Sequence, residues 1–213
     1  MRSKPATEPR KRPRQERARE TVAAMLEAAA RILAEEGFDA VTTNRIAERA
    51  GVSVGSLYQY FPSREALVAA MIEHRLEREL VAFDRALEAL AALPLRAALA
   101  RLVRATLRHH LDQRAFYEAV LPNVPHVERE RATRDATARA AERFGRFLAA
   151  RSGELARPHP ERAAFVALRA LEAVAHATVL ERRPLLDPER MEEELAALLV
   201  GYLCRDGAAE ASA

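Results

Sequence analysis

From Glu20 onward, hydrophobic positions recur at intervals of three and four, the spacing of one face of an α-helix. Val22, Met25, Leu26, Ala29, Ile32 and Leu33 mark the apolar stripe of a first helix, and Gly37 follows where a C-terminal cap is expected. Thr42 and Thr43 then offer N-cap hydroxyls to a helix of about two turns that carries Ile46, Ala47 and Ala50 and ends at Gly51. Ser53 can cap a second short helix, with Leu57, Tyr58 and Phe61 on its anchoring side, before Pro62 stops it. Ser63 caps again, and Glu65 lies in the first turn, where a carboxylate suits the helix dipole.

Beyond Ala66 the helical pattern continues almost to the end. Ile72, Leu76, Leu80, Phe83, Leu87 and Leu90 keep the spacing, and Pro94, Pro122 with Pro125, Pro158 with Pro160, and Pro184 with Pro188 punctuate about five or six body helices. Two of them close the chain. The span 160–181 carries Ala164, Ala167, Leu168, Leu171, Ala175 and Thr178 on one face; the span 188–205 carries Met191, Leu195, Leu198, Leu199 and Tyr202. Seven glycines, no tryptophan and long runs of Ala, Leu, Glu and Arg favour helix over strand. The expected fold is all-α: a three-helix helix-turn-helix head over residues 20–65 and a larger helical body over residues 66–213. No internal repeat is found.

Charge adds a direction to this picture. Residues 1–64 hold 12 basic against 8 acidic side chains, whereas residues 65–213 hold 22 against 23. Residues 1–19 alone contain eight basic residues, three prolines and no large aliphatic side chain, which reads as a disordered arm. A basic end beside a neutral body points to an anionic partner, nucleic acid ahead of membrane. The single cysteine, Cys204, cannot form an intrachain disulfide and lies in an apolar helical stretch, as a small buried residue would. The sequence shows no secretory leader, and no stretch reads as long and apolar enough to cross a bilayer, so a cytoplasmic protein is expected.

Two short helices joined by a tight turn and braced by longer neighbours form a helix-turn-helix, the economy that a major groove demands because it admits one α-helix. Val52 and Leu57 are the inward residues; Val54, Gly55, Ser56, Tyr58, Gln59 and Tyr60 are free to face outward. The stretch TTNRIAERAGVSVGSLYQYFPSREAL, residues 42–67, closely resembles the DNA-binding segment of the TetR family. The preceding AEEGFDAVT is similar as well, and the resemblance covers residues 20 to about 72. It implies phosphate contacts from Thr43, Tyr58, Tyr60 and Arg64, and contacts at or near the bases from Asn44, Val54, Gly55, Ser56 and Gln59. Chemistry agrees in part, since a Gln amide pairs bidentately with adenine and a tyrosine hydroxyl donates to phosphate. Asn44 departs from the Arg common in the family, and Val54 with Gly55 offers little hydrogen bonding, so part of the readout is expected to be apolar or shape-based.

Three rival readings bear on this. Gly51-Val52-Ser53-Val54-Gly55 fits G-x-S-x-G, the nucleophile elbow of α/β-hydrolases, but that motif needs a strand immediately before it, and TNRIAERA is helical. An enzyme is therefore not expected. The histidines are His74, the adjacent His109 and His110, His126, His159 and His176; without a His pair four apart or a cysteine nearby they suggest no metal site, and no cofactor is expected. A helical protein-interaction module without DNA binding is the remaining alternative.

The helices at 160–181 and 188–205 are expected to pair with their copies in a homodimer, through Ala164, Ala167, Leu168, Leu171, Ala175, Leu195, Leu198 and Leu199; the resemblance puts an interface in the same place. It also implies a repressor released from a pseudo-palindromic double-stranded operator when a small-molecule effector enters an apolar pocket within residues 66–157. The candidates for that pocket are Phe83, Leu107, Phe116, Tyr117, Phe144 and Phe147, with Arg104 and His110 as polar partners. No membrane partner is expected.

Overall fold

Helix α1 is described over Glu16–Glu36, so it is already formed one turn before the expected start, and nothing up to Glu36 breaks the run; the rest of the expected arm, residues 1–15, lies outside the described residues. In this computed structural model the described residues are 16–120, 122–124, 126–181 and 183–205, with the side chains of 126–132 and 184 left aside. The chain continues through α2 (Thr43–Ala50), α3 (Val54–Tyr60), α4 (Arg64–Ala89), α5 (Leu95–Asp112), α6 (Arg114–Val120), α7 (His126–Ala149), α8 (Pro160–Leu180) and α9 (Pro188–Leu203). Short 3-10 turns lie at Phe38–Ala40 and Pro184–Leu186. Among the described residues β pairing amounts to one isolated bridge between Leu155 and Cys204. The all-α expectation is met, with six helices beyond the third.

The chain divides into two compact units. The first comprises residues 1–79 and 115–135, the second residues 80–114 and 136–213. The division does not follow the sequence boundary at 65/66: the first part of α4 and most of α6 belong to the N-terminal unit. There Phe116, Val120 and Val124 join the core formed by Met25, Ile32, Leu33, Ile46, Leu57, Phe61, Leu67 and Met71. Arg75 lies 3.9 Å above the Phe116 ring and is paired with Glu79, so its charge is stacked and compensated rather than left bare.

In the second unit α5, α8 and α9 pack on one another. Leu99, Leu102, Val103 and Leu107 from α5 meet Ala164, Ala167, Leu168, Leu171 and Ala175 from α8, and Leu195, Leu199 and Leu203 from α9. Alanine at 164, 167 and 175 lets these helices approach closely within the chain. Seven of the eight residues expected at a dimer interface, namely Ala164, Ala167, Leu168, Leu171, Ala175, Leu195 and Leu199, are thus buried in the chain's own core. Leu198 alone of the set is exposed, at 52%. The correction has a simple cause: α8 and α9 are apolar on more than one side, and spacing does not say which side turns inward.

One further expectation is overturned here. Pro160–Leu180 is long and apolar enough to cross a membrane by length and composition. Its inward positions are nevertheless committed to the core, and Glu161, Arg162, Arg169 and Glu172 punctuate the remainder. Cys204 is buried, and burial, reinforced by Glu154 against the opposing charge of Arg96, pushes its thiol up, away from the reactive thiolate.

Candidate nucleic-acid interface

Each boundary of the two short helices has a local chemical cause. The Thr42 hydroxyl accepts from the Arg45 N–H and opens α2; Gly51, at φ 68° and ψ 32°, closes it in the left-handed conformation that glycine adopts without steric cost. The Ser53 hydroxyl accepts from the Ser56 N–H at 3.0 Å and opens α3, and Phe61 with Pro62 ends it. Ser63 then accepts from the Ala66 N–H at 3.1 Å at the head of α4. Ile46 and Ala47 from α2 and Leu57 from α3 are fully buried against α1, which fixes the pair as a unit. Arg45 pairs with Glu36 at 2.6 Å and Arg49 with Glu35 at 2.5 Å, so both cations are compensated by the C-terminal end of α1.

What α3 leaves outside is the candidate reading face. Val54, Gly55, Tyr58 and Gln59 are exposed, Tyr58 at 46%, and Asn44 from α2 is exposed beside them. The Tyr58 hydroxyl lies 3.4 Å from Thr43 Oγ1, which brings together two of the expected phosphate donors across the turn. Tyr58, placed by the sequence on both the anchoring and the outward side, faces outward. Tyr60 leans on the core of its unit, and Ser56 is half-buried, its hydroxyl 2.8 Å from Ser53 Oγ.

Gly55 is informative because the chain itself does not require it. A Cβ built there meets only Ser53 Oγ at 3.8 Å, an ordinary contact, and the backbone is plain helix. Glycine costs a helix about 1 kcal/mol relative to alanine. The position is open toward the exposed side of α3, where a missing side chain lets a flat partner approach the backbone.

Arg64 departs from its expected role. Its guanidinium donates to the Phe38 carbonyl and lies 4.2 Å over the Phe38 ring, so it braces the turn after α1 instead of reaching outward. The G-x-S-x-G string runs from helix to helix, and Ser53 serves as the cap of α3; the strand that a nucleophile elbow needs is α2.

The expected effector residues fall in both units. Phe116 and Tyr117 belong to the core of the N-terminal unit. Phe83, Leu107, Phe144 and Phe147 belong to the second, where Phe83 meets Phe144 edge-on at 6.5 Å and Phe144 stacks on Phe147 at 5.9 Å. Arg104 is exposed and paired with Glu192 at 2.6 Å, not turned into a cavity. His110 is buried at 2% exposure. The apolar positions that sequence reasoning missed are Phe165 and Val166, exposed on α8 at 52% and 48%. Their signal was present: they interleave with the inward residues on a helix that is apolar on more than one side.

A capped two-helix unit with an exposed second helix on a three-helix scaffold is a helix-turn-helix DNA-binding head. The description of bacterial regulatory proteins of the tetR family matches residues 25–71, and that of the tetracyclin repressor-like C-terminal domain matches residues 94–203, more than half of the chain. The chain belongs to the TetR family of transcriptional regulators. Nucleoid occlusion factor SlmA of Haemophilus ducreyi is 46% identical over 52 residues, 24% of this chain and 25% of the relative. The HTH-type regulator EthR of Mycolicibacterium smegmatis is 37% identical over 75 residues, 35% of each. The match therefore spans about a quarter to a third of these relatives' length. A TetR-family regulator from Mesorhizobium loti superposes with a TM-score of 0.72 at 17% identity, over 90% of this chain and all of its own, which is a likeness of fold.

Proposed function

We propose that this chain is a repressor that binds a pseudo-palindromic DNA operator as a homodimer in the cytoplasm and leaves it when a small molecule binds the helical body. The observation that carries the reading is the face of α3, where Gly55, Tyr58 and Gln59 are exposed and a glycine stands where the fold has no use for one. Gln59 reads a base edge, Tyr58 and Thr43 hold phosphates, and Val54 with Gly55 allows close approach. Arg64 is left out of the phosphate set because Phe38 holds it.

The outer face of α8 and α9, with Phe165, Val166 and Leu198, supports pairing of two copies: these are large apolar groups on neighbouring helices of one unit. The effector reading draws support from relatives. A regulator from Saccharomonospora viridis is known with choline, at a TM-score of 0.64 and 18% identity over 88% of this chain and all of its own. SmeT of Stenotrophomonas maltophilia, the repressor of a multidrug efflux pump, is known with triclosan. In this chain the second unit's aromatics Phe83, Phe144 and Phe147 are the groups a ligand would part.

The test is a gel shift with the DNA upstream of the protein's own coding sequence, using the wild type and Gln59→Ala. Specific binding lost in the variant supports the reading. Equal binding of unrelated DNA by both would overturn it.

A further inference from the structure

We propose that His110, Glu172 and His176 form a binding site for one divalent transition-metal ion of the zinc class, held by two imidazole nitrogens and one carboxylate oxygen. The three donor atoms lie within 4.8 Å of one another. His110 comes from the last turn of α5, and Glu172 and His176 stand four apart on one side of α8, which packs on α5 within the same unit.

The spacing suits a metal. His110 Nε2 is 3.4 Å from Glu172 Oε2. Two ligands about 2.1 Å from a tetrahedral ion are about 3.4 Å apart, so this pair already stands at ligand spacing, and the full set, within 4.8 Å, closes onto an ion by a small side-chain shift. The ring of His176 meets that of His110 edge-on, 4.7 Å between centroids, and brings a second imidazole to the same carboxylate.

The hydrogen bond behind His110 points the same way. His110 Nδ1 lies 2.9 Å from the Thr106 carbonyl oxygen, and a carbonyl only accepts, so Nδ1 carries the hydrogen. That leaves Nε2 toward the carboxylate. The Nδ1–H···O=C bond is the arrangement that orients metal-ligating histidines. Two nitrogens and one oxygen match a three-ligand zinc set with water as fourth ligand. The Glu172 side chain, 44% exposed, gives the ion a way in.

This inference stands on one unit and is independent of DNA binding. Full-length, tag-free protein is titrated with Co2+, whose tetrahedral complexes absorb visibly. Expected are one ion per chain, a tetrahedral absorption band that Zn2+ abolishes, and affinity at least about tenfold weaker in Glu172→Gln and in His176→Ala. Neither variant alters a fully buried residue, so their folding, checked by circular dichroism, does not depend on a core residue as His110→Ala would. His109→Ala should bind as the wild type does. Absence of the band, or unchanged affinity in both Glu172→Gln and His176→Ala, would overturn the site.

Discussion

Gly55 separates the needs of the fold from those of a partner. Gly55→Ala fills open space on a plain helix, so it should stabilise the protein by about 0.5–1 kcal/mol in urea denaturation. The same methyl stands on the reading face, and operator affinity should fall at least tenfold; unchanged affinity would remove Gly55 from the interface. Gln59→Ala should cost about 1–3 kcal/mol and relax the base preference at a single operator position, read by a binding series over single-base variants.

Glu65 gives a pH signature at the same scale. Its own backbone N–H and the Ser63 hydroxyl bond the carboxylate, burial opposes weakly, and Arg64 adds favourable charge, so the carboxyl titrates below its ordinary value of 4.5. A carboxyl depressed in the folded state stabilises the protein above its unfolded value and loses that contribution as pH falls through the folded one. Glu65→Gln should therefore be less stable than the wild type at pH 7. The gap should close progressively once the pH drops below about 4.5; a gap that persists in acid would mean that the carboxylate charge is not the cause.

At the scale of elements, α8 and α9 carry two apolar faces with different tasks. Leu171 is buried in the chain's core, and Leu171→Ala should cost about 2–5 kcal/mol of stability through the cavity it leaves. Leu198→Glu and Phe165→Glu place charge on exposed positions and should leave the fold intact while giving monomers by analytical ultracentrifugation. Monomers in the wild type at micromolar concentration would count against the pairing face.

For the molecule as a whole, deletion of residues 1–15, which carry six Lys or Arg, is expected to bear on affinity rather than specificity. The deletion should weaken binding to every DNA sequence and flatten the dependence of log Kd on log salt, because fewer counterions are released. An unchanged slope would show that these residues do not neutralise phosphate. If a small molecule does release the operator, coupling is reciprocal: a tenfold loss of DNA affinity requires a tenfold loss of ligand affinity on DNA, about 1.4 kcal/mol.

The amino-acid sequence by itself determined the helices, their caps and the reading helix, because those depend on neighbours within one turn: Thr42, Gly51, Ser53, Phe61 with Pro62, and Ser63 act locally. It also placed Val54, Gly55 and Gln59 outward and Leu57 inward on α3, but left Tyr58 on both sides. Only the tertiary structure decided where Arg64 goes, because the Phe38 carbonyl and ring that hold it lie 26 residues away. It likewise decided which face of α8 and α9 is core, as both helices are apolar around more than one face and burial depends on the partners that arrive. The His110, Glu172 and His176 cluster was half legible: a search for paired histidines passes over Glu172 and His176, four apart, and no local pattern announces that α5 will deliver His110 to them. Helix formation is governed by contacts a few residues apart, whereas convergence of three ligands requires two helices to pack, and packing is settled by the core they share.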